Sequence, residues 1–413
     1  MGFFDWFRGK KKVEPARTKV TFQQLAIEIS GELDGVVTAE PHPDPDDFAI
    51  LVTKGGQSGQ HTTYLTNVWR QLSEADVDEQ RDGLRHFLES TLNSPEIPDT
   101  WEGLSAMLLP VLRSAGLTSW AMSQPQSLIW KPATPYLVEL LVIDLGPSVA
   151  YVTDDRLEEW GVDAEEAFRV AHENLARIVP SAPESSEDGP RLFHIMSGQI
   201  DGGSYMLSPG WLASYADAVG GRPIAWAGGR DSITIATAGT EEAVASLAEM
   251  ALADWNGASR PLSPCLYTVT DDDRVVPLSV PDDHAAAAAV AKARLPLAGG
   301  EYGAQKEALD ERHRDELVDV FVASLMALEP NDGGKPITLS VWTEGLVSWL
   351  PRTEQLALMD PASGNPPLEV PFDAVLEVAG DCLEPVPGIH PQRFETVKWP
   401  SPEQIDALRQ RAT

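Results

Sequence analysis

Apolar residues recur along this chain at two periods, and the switches between them mark out its elements. The strongest stretch is Leu141–Ile178, LVIDLGPSVAYVTDDRLEEWGVDAEEAFRVAHENLARI, which encodes a strand, a turn, a second strand and two capped helices. Leu137–Asp144 is a continuous apolar run of strand length, and Gly146-Pro147 turns it into Ser148–Thr153. Asp154 or Asp155 caps a short helix that ends at Gly161. Asp163, with Glu166 three residues later, opens the next helix like a capping box, and Ala167, Val170, Ala171 and Leu175 mark its buried side.

Upstream, Phe22, Leu25, Ile29 and Leu33 give Thr21–Leu33 a helical spacing that stops at Gly35. Val36–Val37 and Phe48–Val52 read as short strands flanking the turn Pro41-His42-Pro43-Asp44-Pro45. Thr63–Leu72 and Asp78–Leu92 follow as helices, and Thr100 caps a helix running through Leu112, which Pro110 kinks or ends early. Downstream of the polar linker Ser181–Pro190, strands are expected at Arg191–Met196, Ser204–Leu207, Pro223–Ala227, Ser232–Thr237 and Cys265–Val269. Ser208-Pro209 opens a helix through Val219, and Thr240 caps one with Val244, Leu247, Ala248 and Leu252 inward. Helices at His284–Arg294 and from Glu301 to about Arg314 precede strands at Val318–Met326, Pro336–Trp342, Leu346–Leu350 and Gln355–Leu358. A last helix spans Pro402–Arg411.

This alternation predicts an α+β fold: two mixed α/β units, residues 20–180 and 190–282, and a C-terminal, mostly antiparallel α+β domain over residues 284–413. A length of 413 residues suits two or three domains. No apolar run approaches the roughly 18–20 residues of a membrane span, and no secretory pattern is visible, so a cytosolic protein is expected. Cys265 and Cys382, far apart in sequence, read as buried thiols.

Charge changes the picture at one end. The net charge is −32, yet residues 1–19 hold six basic residues against Asp5 and Glu14. So acidic a body repels phosphate backbones, which argues against nucleic acid; the charge serves solubility or offers an electronegative face to a basic partner. In the leader MGFFDWFRGKKK, a helix places Phe3, Phe4, Trp6 and Phe7 within an arc of about 160°. Those rings, beside Arg8, Lys10, Lys11 and Lys12, suit the boundary of an anionic membrane. Docking on the acidic body is the competing expectation.

Signatures of chemistry are few. Asp44, Asp46 and Asp47, and again Asp271–Asp273, cluster in turns without the ligand alternation of a calcium loop. Histidines are scattered with no zinc spacing, so no metal and no cofactor is expected. His313-Arg314-Asp315 lacks the rest of a kinase catalytic loop, and Gly56-Gln57-Ser58-Gly59 lacks the spacing of a nucleophile elbow. Arg230-Asp231, at a turn between two strands, is offered for a ligand or forms a structural ion pair. Trp342 and Trp349 are candidates to line a binding face of the last sheet.

The Leu141–Leu175 stretch resembles the YtpQ-like bacterial family, a domain of unknown function. The likeness continues through GGSYMLSPGWLASYADAVGGRPIAWAGGRDSI to RPLSPCLYTV, spanning roughly residues 21–278, with the region beyond 283 as an extension. The resemblance implies a cytosolic α+β protein of unassigned role and carries over no catalytic residue. With no nucleophile, metal or phosphate motif, the leading expectation is a non-enzymatic binding or adaptor protein, held at the inner membrane face by its leader. Its rivals are an enzyme whose carboxylates, or Arg230 with Asp231, converge only in three dimensions, and an acidic protein that neutralises a basic partner.

Overall fold

The computed structural model describes residues 18–43, 48–55, 60–73, 75–92, 97–121, 127–146, 149–184, 192–198, 200–330 and 334–412. The leader residues Phe3 to Lys12, the Asp44, Asp46 and Asp47 cluster and Gly56–Gly59 lie outside them. The chain divides into two compact units, Met1–Glu96 and Ile97–Thr413, so the boundary falls inside the stretch read above as one unit of residues 20–180. The elements form an α+β fold. Among the described residues, no helix is long and apolar enough to cross a membrane.

In the first unit α1 (Lys19–Glu32) is capped by Thr18, whose hydroxyl accepts from Thr21 N. Strands β1 (Val36–Pro41), β2 (Ala49–Lys54) and β3 (Gln60–Tyr64) form an antiparallel meander, followed by α2 (Thr66–Leu72) and α3 (Val77–Leu92). Phe22, Leu25 and Ile29 of α1 meet Ile50, Val52, Leu84 and Leu88 in its core. The helix expected at Thr63–Leu72 begins only at Thr66. The β-branched pair Thr62-Thr63 extends instead alongside β2.

The second unit opens with α4 (Trp101–Leu104), β4 (Leu108–Ser114), α5 (Gly116–Ala121), β5 (Trp130–Thr134), β6 (Leu137–Asp144) and β7 (Val149–Tyr151). Then come α6 (Asp154–Trp160), which stops at left-handed Gly161, and α7 (Ala164–Ile178), capped by Asp163 through Glu166 N. The sheet runs β4-β6-β5, with β7 also paired to β6, all antiparallel. The helix expected from Thr100 through Leu112 is capped by Thr100 but ends at Leu104, and the stretch from Leu108 is strand β4. Its residues Leu108–Leu112 are buried, a two-faced burial that a strand satisfies, and Pro110 is tolerated because β4 lies at the sheet edge.

A second antiparallel sheet has the order β12-β11-β9-β10-β8. It is built from β8 (Phe193–Met196), β9 (Ile224–Gly229), β10 (Ser232–Ala236), β11 (Pro261–Val269) and β12 (Val275–Pro277), with α8 (Ala216–Val219) and α9 (Glu241–Gly257) between strands. The strand expected at Ser204–Leu207 is a 3-10 helix, Gly202–Leu207. A Cβ on Gly202 would lie 2.9 Å from the Ser232 carbonyl carbon, so only glycine lets this turn press against β10. Likewise Ser208–Val219 is no single helix, but turns followed by a short 3-10 segment and α8. Leu109, Val111, Val138, Leu140 and Val142 of the first sheet share one core with Tyr205, Trp211, Ala225, Ile233 and Tyr267 of the second layer.

Helix α10 (Ala287–Glu316) is continuous, where two helices were expected, and it carries Pro296 in its interior. An interior proline costs about 3 kcal/mol. Burial of Leu297, Ala298, Tyr302 and Leu309 against neighbouring elements offsets that. Beyond it lie two four-stranded sheets, β13-β16-β20-β19 and β14-β15-β17-β18. Their strands are β13 (Phe321–Val322), β14 (Met326–Leu328), β15 (Ile337–Thr343), β16 (Ser348–Pro351), β17 (Gln355–Met359), β18 (Leu368–Pro371), β19 (Leu383–Pro385) and β20 (Arg393–Thr396). Helix α11 (Phe372–Ala379) and α12 (Pro402–Arg409), the latter with a full Ser401/Gln404 capping box, complete the chain. Pairing is mostly antiparallel, but β13 with β16 and β15 with β17 are parallel.

Glu301 of α10 ties these layers together. Its buried carboxylate accepts from Ser114 Oγ at 2.5 Å and from Gly116 N. Burial pushes its carboxyl above the ordinary value, and the two hydrogen bonds only partly oppose the rise. The stability tied to this group is therefore fully present below about pH 4.3, its unfolded value, and is lost as pH rises through the raised folded value. Glu301→Gln keeps a donor and an acceptor there without the buried charge. Urea unfolding is expected to find the variant flatter with pH from about 4 to 7, and at least as stable at pH 7.

Candidate functional site

Strand register determines what faces α7. Lys131 of β5 and Leu112 of β4 both lie opposite Glu139 of β6, so these three side chains share one sheet face. Phe168 and His172, four apart on α7, present one helix face to that group. The result is a Lys-Glu-His cluster on the wall of a cavity of about 590 Å³.

Glu139 is 3% exposed. Its Oε1 lies 2.7 Å from His172 Nε2 and its Oε2 lies 3.3 Å from Lys131 Nζ. Lys131 Nζ is also 3.4 Å from His172 Nε2 and 4.2 Å from the Phe168 ring centroid, a cation–π contact. One imidazole nitrogen thus has an acceptor and a donor competing for it. Neither Glu139 Oε1 nor His172 Nδ1 has an aligned hydrogen bond. A buried polar atom left wholly without a partner costs about 1–3 kcal/mol, and the 2.7 Å approach of His172 Nε2 to Glu139 Oε1 offsets part of that here.

The rest of the wall is apolar, from Met206, Leu207, Pro209 and Val275, together with Tyr267. Tyr267 is held 2.7 Å from Ser263 Oγ, and burial raises its phenol well above the ordinary value, so it stays neutral. At the rim, Thr270 and Arg274 hold the Asp272 carboxyl down to about 2, with Thr270 Oγ1 at 2.6 Å. That carboxylate is spent on its own turn. Among the described residues no group of three or more His, Cys, Asp or Glu side chains is placed to hold a metal ion.

The residues singled out from sequence lie elsewhere. Asp231 pairs with Arg260 and not with Arg230, which makes no ion pair among the described residues. Trp342 is 2% exposed and packs edge-on against Trp399 in the C-terminal core. Trp349 donates its indole N–H to Glu395 Oε2 at 2.7 Å, with its ring 4.7 Å from His313. Neither tryptophan lines the cavity. Cys265 and Cys382 are free, buried thiols.

Lys131, Glu139 and His172 were not singled out from sequence. The available signal was one carboxylate inside the otherwise apolar run Leu137–Ile143, which demands a buried counter-charge.

No family model matches this chain, and none of the curated proteins or solved structures compared with it is similar to it.

A carboxylate kept for binding differs from one kept for stability. Glu139→Leu replaces the charge by an apolar side chain in an apolar wall, and Lys131, 43% exposed, returns to solvent. Denaturant unfolding is expected to place this variant within about 1 kcal/mol of the parent, or above it. A loss beyond about 3 kcal/mol would mark the cluster as a structural tie.

Proposed function

We propose that this chain is a non-enzymatic binding protein whose ligand is a small molecule seated in the cavity beside Lys131, Glu139 and His172. The ligand has a mostly apolar body, matched to Met206, Leu207 and Val275, and one N–H or O–H donor for the Glu139 carboxylate. The observation that carries this reading is the buried Glu139 carboxylate in the wall of the cavity, beside Lys131 and His172. A volume of about 590 Å³ suits a ligand of drug-like size. Small amines and alcohols, screened by ligand-observed NMR, are expected to include binders that Glu139→Leu weakens about tenfold, the equivalent of about 1.4 kcal/mol. Equal binding by parent and variant defeats the assignment.

The 2.7 Å approach of Glu139 to His172 also favours a second reading, an enzyme in which the carboxylate orients the imidazole as a general base. Turnover of a bound ligand would separate it from simple binding.

Location is part of the proposal. The chain is cytoplasmic and meets the anionic inner membrane face through Phe3, Phe4, Trp6, Phe7 and the basic residues Arg8 to Lys12. Sedimentation with anionic liposomes is expected to carry down the full chain and to leave a version lacking residues 1–19 in the supernatant. Equal sedimentation removes the membrane role.

A further inference from the structure

A second charged cluster lies on the opposite face of β4 from the cavity. Strand alternation sends Leu112 to the cavity wall and Arg113 the other way. Arg113, 3% exposed, donates Nε to the Tyr151 hydroxyl at 3.0 Å and Nη1 to Asp201 Oδ2 at 2.6 Å. Arg260 faces the same aspartate, with Nη2 at 3.8 Å from Asp201 Oδ1, and pairs with Asp231.

Arg230 is the third guanidinium of the group. Its backbone is held on both sides: its N–H donates to Arg260 O at 3.0 Å, and its carbonyl accepts from Gly202 N at 2.9 Å and Ser197 Oγ at 3.0 Å. Its half-buried side chain makes no ion pair among the described residues, and its Nε is buried without a hydrogen-bond partner. Arg260 Nε is in the same condition. Burial depresses the Arg230 pKa, the charges of Arg113 and Arg260 add to that, and Asp201 opposes it. A guanidinium nevertheless stays charged at neutral pH.

Among the described residues these three guanidiniums share two carboxylates, Asp201 and Asp231, which leaves one positive charge in excess. Acidic residues outnumber basic ones 63 to 31 in this chain, so a carboxylate for Arg230 was readily available to the sequence. A half-buried arginine without one costs stability, and such a cost is commonly retained where a ligand repays it.

We propose that Arg230, backed by Arg113 and Arg260, binds a carboxylate-bearing small molecule. The planar guanidinium fork of Arg230, which has no ion-pair partner among the described residues, matches a carboxylate in two parallel hydrogen bonds. Asp201 and Asp231 set the excess at one charge, which suits a monoanion better than a dianionic phosphate. The site is independent of the cavity and stands whether or not the cavity binds a ligand.

Thermal unfolding of the full chain tests this at constant ionic strength, with acetate or phosphate replacing chloride. Acetate is expected to raise the parent Tm by about 2 °C or more, and phosphate by less. In chloride Arg230→Met is expected to unfold at or above the parent temperature, and it is expected to lose the acetate-specific rise. An absent rise in the parent, or an equal rise in Arg230→Met, overturns the site, and a larger rise in phosphate overturns the carboxylate assignment. Should Arg230→Met fail to fold, Arg230→Lys decides. It keeps the charge but not the fork, so a full acetate response in that variant overturns the proposal.

Discussion

Burial of strand β6 on both faces is the constraint from which the layered part of the second unit follows. Val138, Leu140 and Val142 face the second sheet, while Leu141 and Ile143 face α7, and all five are at most 2% exposed. Each such side chain contributes about 1.5–3 kcal/mol when fully buried, an upper estimate against an extended chain. Neither layer can be removed without exposing half of that strand. The same burial makes Glu139 the one position on the strand interior where a charge must be met within the protein, and Lys131 and His172 meet it.

A second constraint governs the C-terminal sheets. Arg393 of β20 is fully buried and makes no ion pair among the described residues. Its guanidinium donates to Gln305 Oε1 at 2.5 Å, to the carbonyls of Ala323 and Trp349 at 2.7 and 3.0 Å, and to Tyr302 O at 3.2 Å. Two of those acceptors belong to α10, one to the segment after β13 and one to β16. One planar group thereby ties the long helix to the sheet. Burial lowers its pKa to about 10, still far enough above neutrality to keep every donor in place. This tie, with Glu301 reaching back to β4 and α5, explains why α10 continues through Pro296.

Local signals made the helices with capping residues legible: Thr100, Asp163 and Thr240 all cap as side-chain acceptors. The α+β class followed from the alternation of periods. Where the reading failed, tertiary contact outweighed local pattern. Leu108–Ser114 has no periodicity to separate strand from helix, and its edge position, invisible in sequence, excuses Pro110. Ser204–Leu207 read as a strand because the close approach of Gly202 to β10 leaves no mark on composition. Trp342 and Trp349 drew attention by residue type, yet Trp342 serves the C-terminal core, and Trp349 packs against His313 while bonding Glu395. The cavity cluster was illegible for a related reason. Lys131 and Glu139 meet through hairpin register, and His172 arrives from a helix 33 residues beyond Glu139.

Scarcity of basic residues gives the buried ones their meaning. Each lysine or arginine drawn inward removes a cation from a surface that is already strongly acidic, and so deepens the field a ligand must cross. That field falls off over about 8 Å at physiological salt, so it acts on approach and fades against contacts made at hydrogen-bond distance. On the proposed reading, an amine or alcohol bound for Glu139 meets no opposition outside. On the same proposed reading, a carboxylate bound for Arg230 is repelled until it comes within contact distance of that guanidinium. Its association is therefore slowed at low salt, while its retention depends on short-range geometry that salt screens far less.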